Sequence, residues 1–294
     1  MHLIQIRRRR FPPWLVKRLP SPSQAHLTKG LVRSKRLHTV CEEARCPNIY
    51  ECFSRPTATF MILGDICTRR CGYCAVGKGT PGELDPEEPE NVALASREMG
   101  LRHVVVTSVN RDDLPDGGAA HFAETIGAIR YYLPEATVEV LTPDFLGDWE
   151  AVRTVVEAGP DVYNHNTETV ERLYKKVRPR ARYERSLELL GRVRELDPAI
   201  TTKSGIMVGL GEGEGEVLEL MGDLRAVDCQ VMTIGQYLPP GPKSLPLRTY
   251  VHPGTYARYR AAGEAMGFRY VFAGPFVRSS FNAEGVHQLA HAHA

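Results

Sequence analysis

The sequence predicts an α/β protein: a partial (β/α)6 barrel of TIM type, with an extension at each end. Three observations carry that reading. From about residue 57 onward, six apolar, β-rich runs alternate with runs of helical period, the pattern of serial β-α units on a parallel sheet. The chain has 294 residues, and an α/β barrel uses roughly 250 as one unit. A closed eight-unit barrel needs about two more units than the pattern holds, so an open barrel is expected. The third observation is chemical: polar or metal-liganding residues stand just past each of the six strands.

The strands are expected at 59–63, 103–108, 138–141, 162–164, 203–208 and 231–236. Helices are expected at 87–99, 118–132, 148–158, 183–196, 214–226 and 254–266. Asp116 and Asp148 suit helix N-caps, Gly100 and Gly159 suit C-terminal stops, and Pro198 follows the fourth helix. The expected division is 1–56 as an N-terminal extension, 57–273 as the barrel and 274–294 as a C-terminal segment.

Ligands of parallel α/β folds sit at the carboxyl ends of the strands. Those ends carry Cys67, Cys71 and Cys74; Thr107, Ser108, Asn110 and Arg111; then Thr142 and Asp144. Asn164, His165, Asn166 and Glu168 follow the fourth strand, Gly209 to Glu212 the fifth, and Gln236 and Tyr237 the sixth. Strand ends meet water and tend to be polar, but solvent contact does not explain the cysteines. Gly209-x-Gly211 superficially suggests a dinucleotide loop. Glu212, Glu214 and Glu216 would repel a pyrophosphate, so that use is rejected.

Net charge is +2, which conceals an asymmetry. Residues 1–40 hold ten Lys and Arg and no acid, leaving 27 basic against 35 acidic residues in the remainder. A basic arm of this kind suits an acidic partner, and the overall balance argues against a nucleic-acid-binding body. No run approaches the roughly 18 apolar residues of a membrane span. Arg8-Arg9-Arg10-Phe11 resembles a twin-arginine signal, but Pro12, Pro13, Lys17 and Arg18 interrupt the apolar stretch such a signal needs. Cytoplasmic residence is expected.

Six of the seven cysteines fall between Cys41 and Cys74, in two triplets. Short fixed intervals of this kind mean a disulfide framework or a metal site, and a chain this long needs no disulfide staples. Cys67, Cys71 and Cys74 form C-x3-C-x2-C in a loop after a strand. Three thiolates around a cubane leave one iron open to substrate or cofactor, whereas an electron-carrying cluster takes four cysteines. Structural zinc also wants four nitrogen or sulfur ligands, and no second local pair completes it. Cys41, Cys46 and Cys52 form C-x4-C-x5-C, again one ligand short. Cys229 begins an apolar strand and reads as a buried, inert thiol.

At C-x3-C-x2-C the chain resembles the radical S-adenosylmethionine (SAM) superfamily. Both triplets together, with the cysteine-rich segment first, resemble the lipoyl synthase family. The likeness continues through Pro13-Trp14-Leu15, Cys46-Pro47-Asn48, Gly64-Asp65-Ile66-Cys67, the run from Thr107 to Leu114 and Asp116-Gly117-Gly118-Ala119. It extends through the stretch from Tyr163 to Thr169, the stretch from Thr202 to Glu212, Gln236-Tyr237-Leu238 and Arg278-Ser279-Ser280. The resemblance implies two 4Fe–4S clusters and SAM as cofactors. SAM would chelate the open iron of the Cys67/Cys71/Cys74 cluster, with Tyr73 near its adenine. Thr107, Asn110, Asn164, Asn166, Glu168, Arg178 and Glu212 are the expected SAM or substrate contacts.

The family ends in Arg-Ser-Ser-Tyr, one serine completing the auxiliary cluster with Cys41, Cys46 and Cys52. Here Phe281 replaces the tyrosine, and Ser280 is favoured over Ser279 as ligand. The implied reaction inserts two sulfur atoms at C6 and C8 of a protein-bound octanoyl-lysine, with the auxiliary cluster as donor. Implied partners are octanoylated lipoyl-carrier domains of the 2-oxoacid dehydrogenase or glycine cleavage type, and an electron donor such as ferredoxin or flavodoxin. Neither nucleic acid nor membrane is expected as a partner. The basic run Lys175, Lys176, Arg178, Arg180, Arg182 is either a solvated loop face or an anion contact. His287, His291 and His293 have metal-like spacing, yet an Ala-rich terminus without acid partners reads as a disordered tail.

Overall fold

A computed structural model of the chain describes residues 11–18, 22–55, 57–280 and 283. The N-terminal extension begins with helix α1 (Pro22–Ser34), followed by strand β1 (His38–Thr39) and the short helices α2 (Val40–Glu43) and α3 (Ile49–Ser54). Thr39 caps α2, its hydroxyl accepting from the Glu42 amide, a use for which threonine is well suited. Thr28 of α1 donates to the Phe53 carbonyl of α3 at 2.8 Å. Ala25, Cys41, Phe53 and Ala58 bury against one another here, apart from the main core.

The barrel opens with β2 (Thr59–Ile62). The two-residue strands β3 (Ile66–Cys67) and β4 (Gly77–Lys78) then pair beside the second cysteine triplet. Next come α4 (Glu88–Glu98), β5 (His103–Ser108), α5 (Ala119–Tyr132), β6 (Thr137–Leu141), α6 (Trp149–Glu157) and β7 (Val162–Asn164). The chain continues with α7 (Tyr174–Val177), α8 (Tyr183–Leu196), β8 (Thr201–Val208), α9 (Glu214–Ala226), β9 (Val231–Gln236), α10 (Pro253–Ala265) and β10 (Tyr270–Gly274).

The main sheet runs β1-β2-β5-β6-β7-β8-β9-β10, parallel throughout except where β1 meets β2. Six β-α units are thus present, as expected, and a terminal strand adds a seventh parallel member. The sequence pattern missed β10, which stands outside the six expected units. Interior strands bury residues on both faces, which explains their continuous Val and Ile runs: Val104, Val106, Val138 and Val140 are fully buried. In α6, Ala151, Val152, Val155 and Val156 form the buried face, and Asp148 caps the helix by accepting from the Glu150 and Ala151 amides. Asp116 is not the N-cap of α5, which is Gly118. Its carboxylate still accepts from the Gly118 and Ala120 amides, doing the same electrostatic work from two residues upstream. Gly100 and Gly159 end their helices at φ 67° and 75°, a left-handed conformation that glycine adopts without a Cβ penalty.

Among the described residues, no helix is long and apolar enough to cross a membrane. The arginine run at 7–10, Phe281 and the three tail histidines lie outside the described residues.

Candidate functional site

The strand ends face a cavity of about 310 Å³, the size of a small-molecule site. All six clustered cysteines line it, together with Ser279 and Ser280 from the segment after β10. The six thiols are free, not paired as disulfides. Residues separated by more than two hundred positions therefore meet in one chamber.

The barrel triplet is held by backbone. Cys67 closes β3, and its sulfur accepts from the Arg69 and Asn110 amides, both at 3.4 Å. Thr68 returns two bonds to the Asn110 carbonyl, and Gly72 donates to the Val177 carbonyl. Inside the loop, Arg69 is 3% exposed; it grips Asp112 with two nitrogens and reaches Asp144 at 2.7 Å. Burial alone would raise the Asp144 carboxyl, but Arg69 overrides it and holds the group at about 2.

The auxiliary triplet is held by short helices and distant contacts. Cys41 lies in α2, Cys46 in the following turn and Cys52 in α3. Asn48 donates to the Phe276 carbonyl at 2.7 Å, which fastens this turn to the segment carrying Ser279 and Ser280. Lys17 donates to Asn48 at 2.6 Å and to Glu51 at 2.9 Å, and stands 4.6 Å from the centre of the Phe276 ring.

Burial and the neighbouring thiols push Cys41 up to about 12 and Cys52 to about 11; burial pushes Cys74 to about 11 and raises Cys71. Thiols so displaced ionise only when a cationic group compensates them, as a cluster would. Among the described residues, no three His, Cys, Asp or Glu converge tightly enough to hold a single metal ion. A multi-iron cluster spreads its thiolates over a wider perimeter than one zinc about 2.3 Å from each sulfur. The donor set fits clusters.

Ser108 Oγ, Asn110 Oδ1, Asn166 Oδ1 and Arg178 Nε are buried without a partner, and all four residues line the cavity. Buried polar groups are nearly always satisfied, so such a concentration fits a polar ligand. Gly205 leaves room there, since a Cβ would stand 2.8 Å from Asn166 Oδ1.

A model of the Radical SAM superfamily matches residues 61–224, and one of the N-terminal domain of lipoyl synthase matches 1–46. The lipoyl synthase of Caldanaerobacter subterraneus is 59% identical over 275 residues, 94% of this chain and 96% of that relative. That of Thermus thermophilus is 56% identical over 277 residues, 94% of this chain and 86% of its own length. The chain belongs to the lipoyl synthase family. Among solved structures, methylornithine synthase superposes with a TM-score of 0.55 at 12% identity, covering 72% of this chain and 69% of that one. The hydrogenase maturase HydG gives 0.56 at 17%, covering 72% and 50%. At such identities the likeness shows a shared fold.

Within this lipoyl synthase family chain, Tyr73, Thr107, Asn110, Asn166, Glu168 and Arg178 all reach the cavity. Thr107 donates to the Leu141 carbonyl at 2.9 Å, while Asn166 donates to Glu168 at 3.1 Å. Arg178 donates to the Asn166 carbonyl at 2.6 Å. Burial raises the Glu168 carboxyl despite Arg178. His165, bonded to the Thr142 carbonyl and Ser186, is lowered to about 4 by burial and then by Arg178.

Two expected contacts are not brought to the cavity. Asn164 instead donates to Glu139 at 3.3 Å, in a buried cluster where Lys203 and His103 also meet Glu139. One residue decides which face of β7 a side chain takes, and Asn164 falls on the other. Glu212 folds back on its own loop, accepting from the Gly209, Leu210 and Gly211 amides. The amides that might have bound a phosphate are thereby filled.

Sequence reasoning missed Arg69 and Lys17 as organising residues. Arg69 had a signal, a charged residue inside the cysteine spacing with Asp144 at a neighbouring strand end. Lys17 had none. Cys229 is fully buried and pushed up to about 12, the inert thiol expected.

Proposed function

We propose that the chain inserts two sulfur atoms at C6 and C8 of an octanoyl-lysine on a lipoyl-carrier domain. The observation that carries this reading is the shared cavity, which two incomplete cysteine triplets line together with unpartnered polar groups. Cys67, Cys71 and Cys74 would hold one 4Fe–4S cluster; Cys41, Cys46 and Cys52 with Ser280 would hold the other. When bound, these groups supply the electron for reductive cleavage of SAM and the sulfide for transfer.

The chain's own residues supply placement. Tyr73, Asn166, Glu168 and Arg178 form the polar wall proposed for SAM. A buried carboxylate such as Glu168, short of compensation, favours a cationic ligand, and Arg178 Nε remains to receive a carboxylate. Asn110 serves mainly by donating to the Cys67 sulfur. Leu141, Ile206, Met207 and Val277 line the same chamber and offer an apolar path for an acyl chain, excluding water from its unactivated carbons. A serine oxygen is a poorer iron ligand than a thiolate, so the Ser280 corner is where the auxiliary cluster would open.

In this reading, 57–273 is the barrel, the 1–56 extension brings the auxiliary-cluster cysteines and the 274–294 segment brings the serine ligand. The acid-free first forty residues suit an acidic carrier, and the protein works in the cytoplasm with a ferredoxin- or flavodoxin-type donor.

Iron and sulfide content of the reconstituted wild type against Cys41→Ala/Cys46→Ala/Cys52→Ala tests the assignment. Two clusters should fall to one, with SAM cleavage kept and lipoyl formation lost. A wild type holding one cluster, or cleaving SAM without lipoyl product, overturns it.

A further inference from the structure

A second pocket opens on the outer side of the Cys67–Cys74 loop. Thr68, Arg69, Arg70, Cys71 and Tyr73 form one wall, and Arg178 to Ala181 form the opposite one. Its rim is strongly basic. Residues 175–182 contain five Lys and Arg and no acid, and residues 67–74 add Arg69 and Arg70, again without an acid. Arg70, Lys175, Lys176, Arg180 and Arg182 are exposed. Among the described residues, Arg180 alone of these has an ion-pair partner, Asp112 at 3.6 Å, and that carboxylate is already held by Arg69. The exposed acids that flank the 175–182 run most closely in sequence, Glu171 and Glu184, leave the rim in positive excess.

None of Cys41, Cys46, Cys52, Ser279 or Ser280 lines this pocket, whereas Cys71, Tyr73 and Asn110 line both it and the main cavity. An acyl chain must end between the two triplets and gains nothing on this side. An electron needs only a short route to the barrel triplet. We propose that this rim docks an acidic one-electron carrier protein. The reduced carrier, oxidised in the step, would give one electron to the cluster that Cys67, Cys71 and Cys74 would hold, which would be reduced. The inference rests on the reading that this triplet holds a redox cluster. Like-signed exposed charges steer such encounters and make them salt-sensitive.

Binding of an acidic flavodoxin to the reconstituted full chain, measured at 50 and 300 mM salt, tests it against Arg70→Glu/Lys176→Glu. Both side chains are exposed and neither touches the cavity, so unfolding melts should match the wild type. The milder Arg70→Gln/Lys176→Gln guards against a folding artefact and should fall between. We expect at least tenfold weaker binding in the charge-reversed variant and a wild-type affinity that drops with salt. SAM cleavage driven by dithionite, which bypasses the carrier, should be unchanged. Unaltered flavodoxin binding overturns the proposal. So does a raised KM for an octanoylated carrier domain under dithionite, which would make this the carrier's surface. Failure of the wild type to form lipoyl product with dithionite strikes instead at the proposed function.

Discussion

The two cysteine triplets share a cavity, yet they are built in opposite ways. Cys67, Cys71 and Cys74 sit on a loop clamped by neighbouring strand ends and by a buried arginine with two carboxylates. Cys41 and Cys52 ride on two short helices with a small core of their own, Cys46 sits in the turn between them, and the fourth ligand proposed for this triplet, Ser280, lies at the far end of the chain. The difference matches two tasks. A cluster that keeps all its atoms through the reaction profits from a rigid frame. One that gives up sulfide needs a ligand shell that loosens at one corner while the chain stays folded.

The largest test of this contrast is Arg69→Met. It removes the buried partner that Asp112 and Asp144 share, leaving Arg180 at 3.6 Å from Asp112 and Arg185 at 3.2 Å from Asp144, and losing one partner of a buried pair costs up to about 3–5 kcal/mol. Urea unfolding should show that loss, and iron should leave the barrel triplet first. Preferential loss from the auxiliary triplet would break the comparison.

A second test uses pH on the same frame. His165 is held neutral near 4, whereas an unfolded histidine titrates near 6.5, so on acidification the unfolded chain takes up the proton first. The stability this group contributes is complete above about 6.5 and fades as pH falls towards 4, on the order of 3 kcal/mol. Unfolding of His165→Gln should lack that slope; an unchanged pH profile would refute the burial argument.

The smallest effect is expected at Lys17. Its side chain is 22% exposed, so the two charge-assisted bonds are worth about 1–2 kcal/mol at most. Lys17→Met should lose auxiliary iron faster during dialysis and alter that cluster's spectrum, with dithionite-driven SAM cleavage intact. Lys17→Arg should restore part of the retention. Equal iron loss from both triplets would deny Lys17 its part in the auxiliary shell.

Much of the barrel was legible because its signals are local. Caps such as Asp148, stops such as Gly159 and the Val and Ile runs of interior strands act within a few residues. Where an expectation failed, either a distant partner or the chain's own nearby backbone decided the outcome. Asp116 works from outside the helix it was expected to cap, and β10 became visible only through its pairing with β9. Asn164 was drawn to Glu139, itself held by Lys203, and Glu212 to its own backbone.

Spacing along the chain was enough to establish the two triplets, their ligand shortfall and the parallel α/β plan, since thiolate count and strand period are properties of short segments. Three-dimensional packing alone put both triplets and Ser280 in one chamber, set Arg69 against Asp112 and Asp144, and left Ser108 Oγ, Asn110 Oδ1, Asn166 Oδ1 and Arg178 Nε unpartnered around it. Contacts between distant residues depend on which side chains burial brings together, and no local pattern encodes that choice.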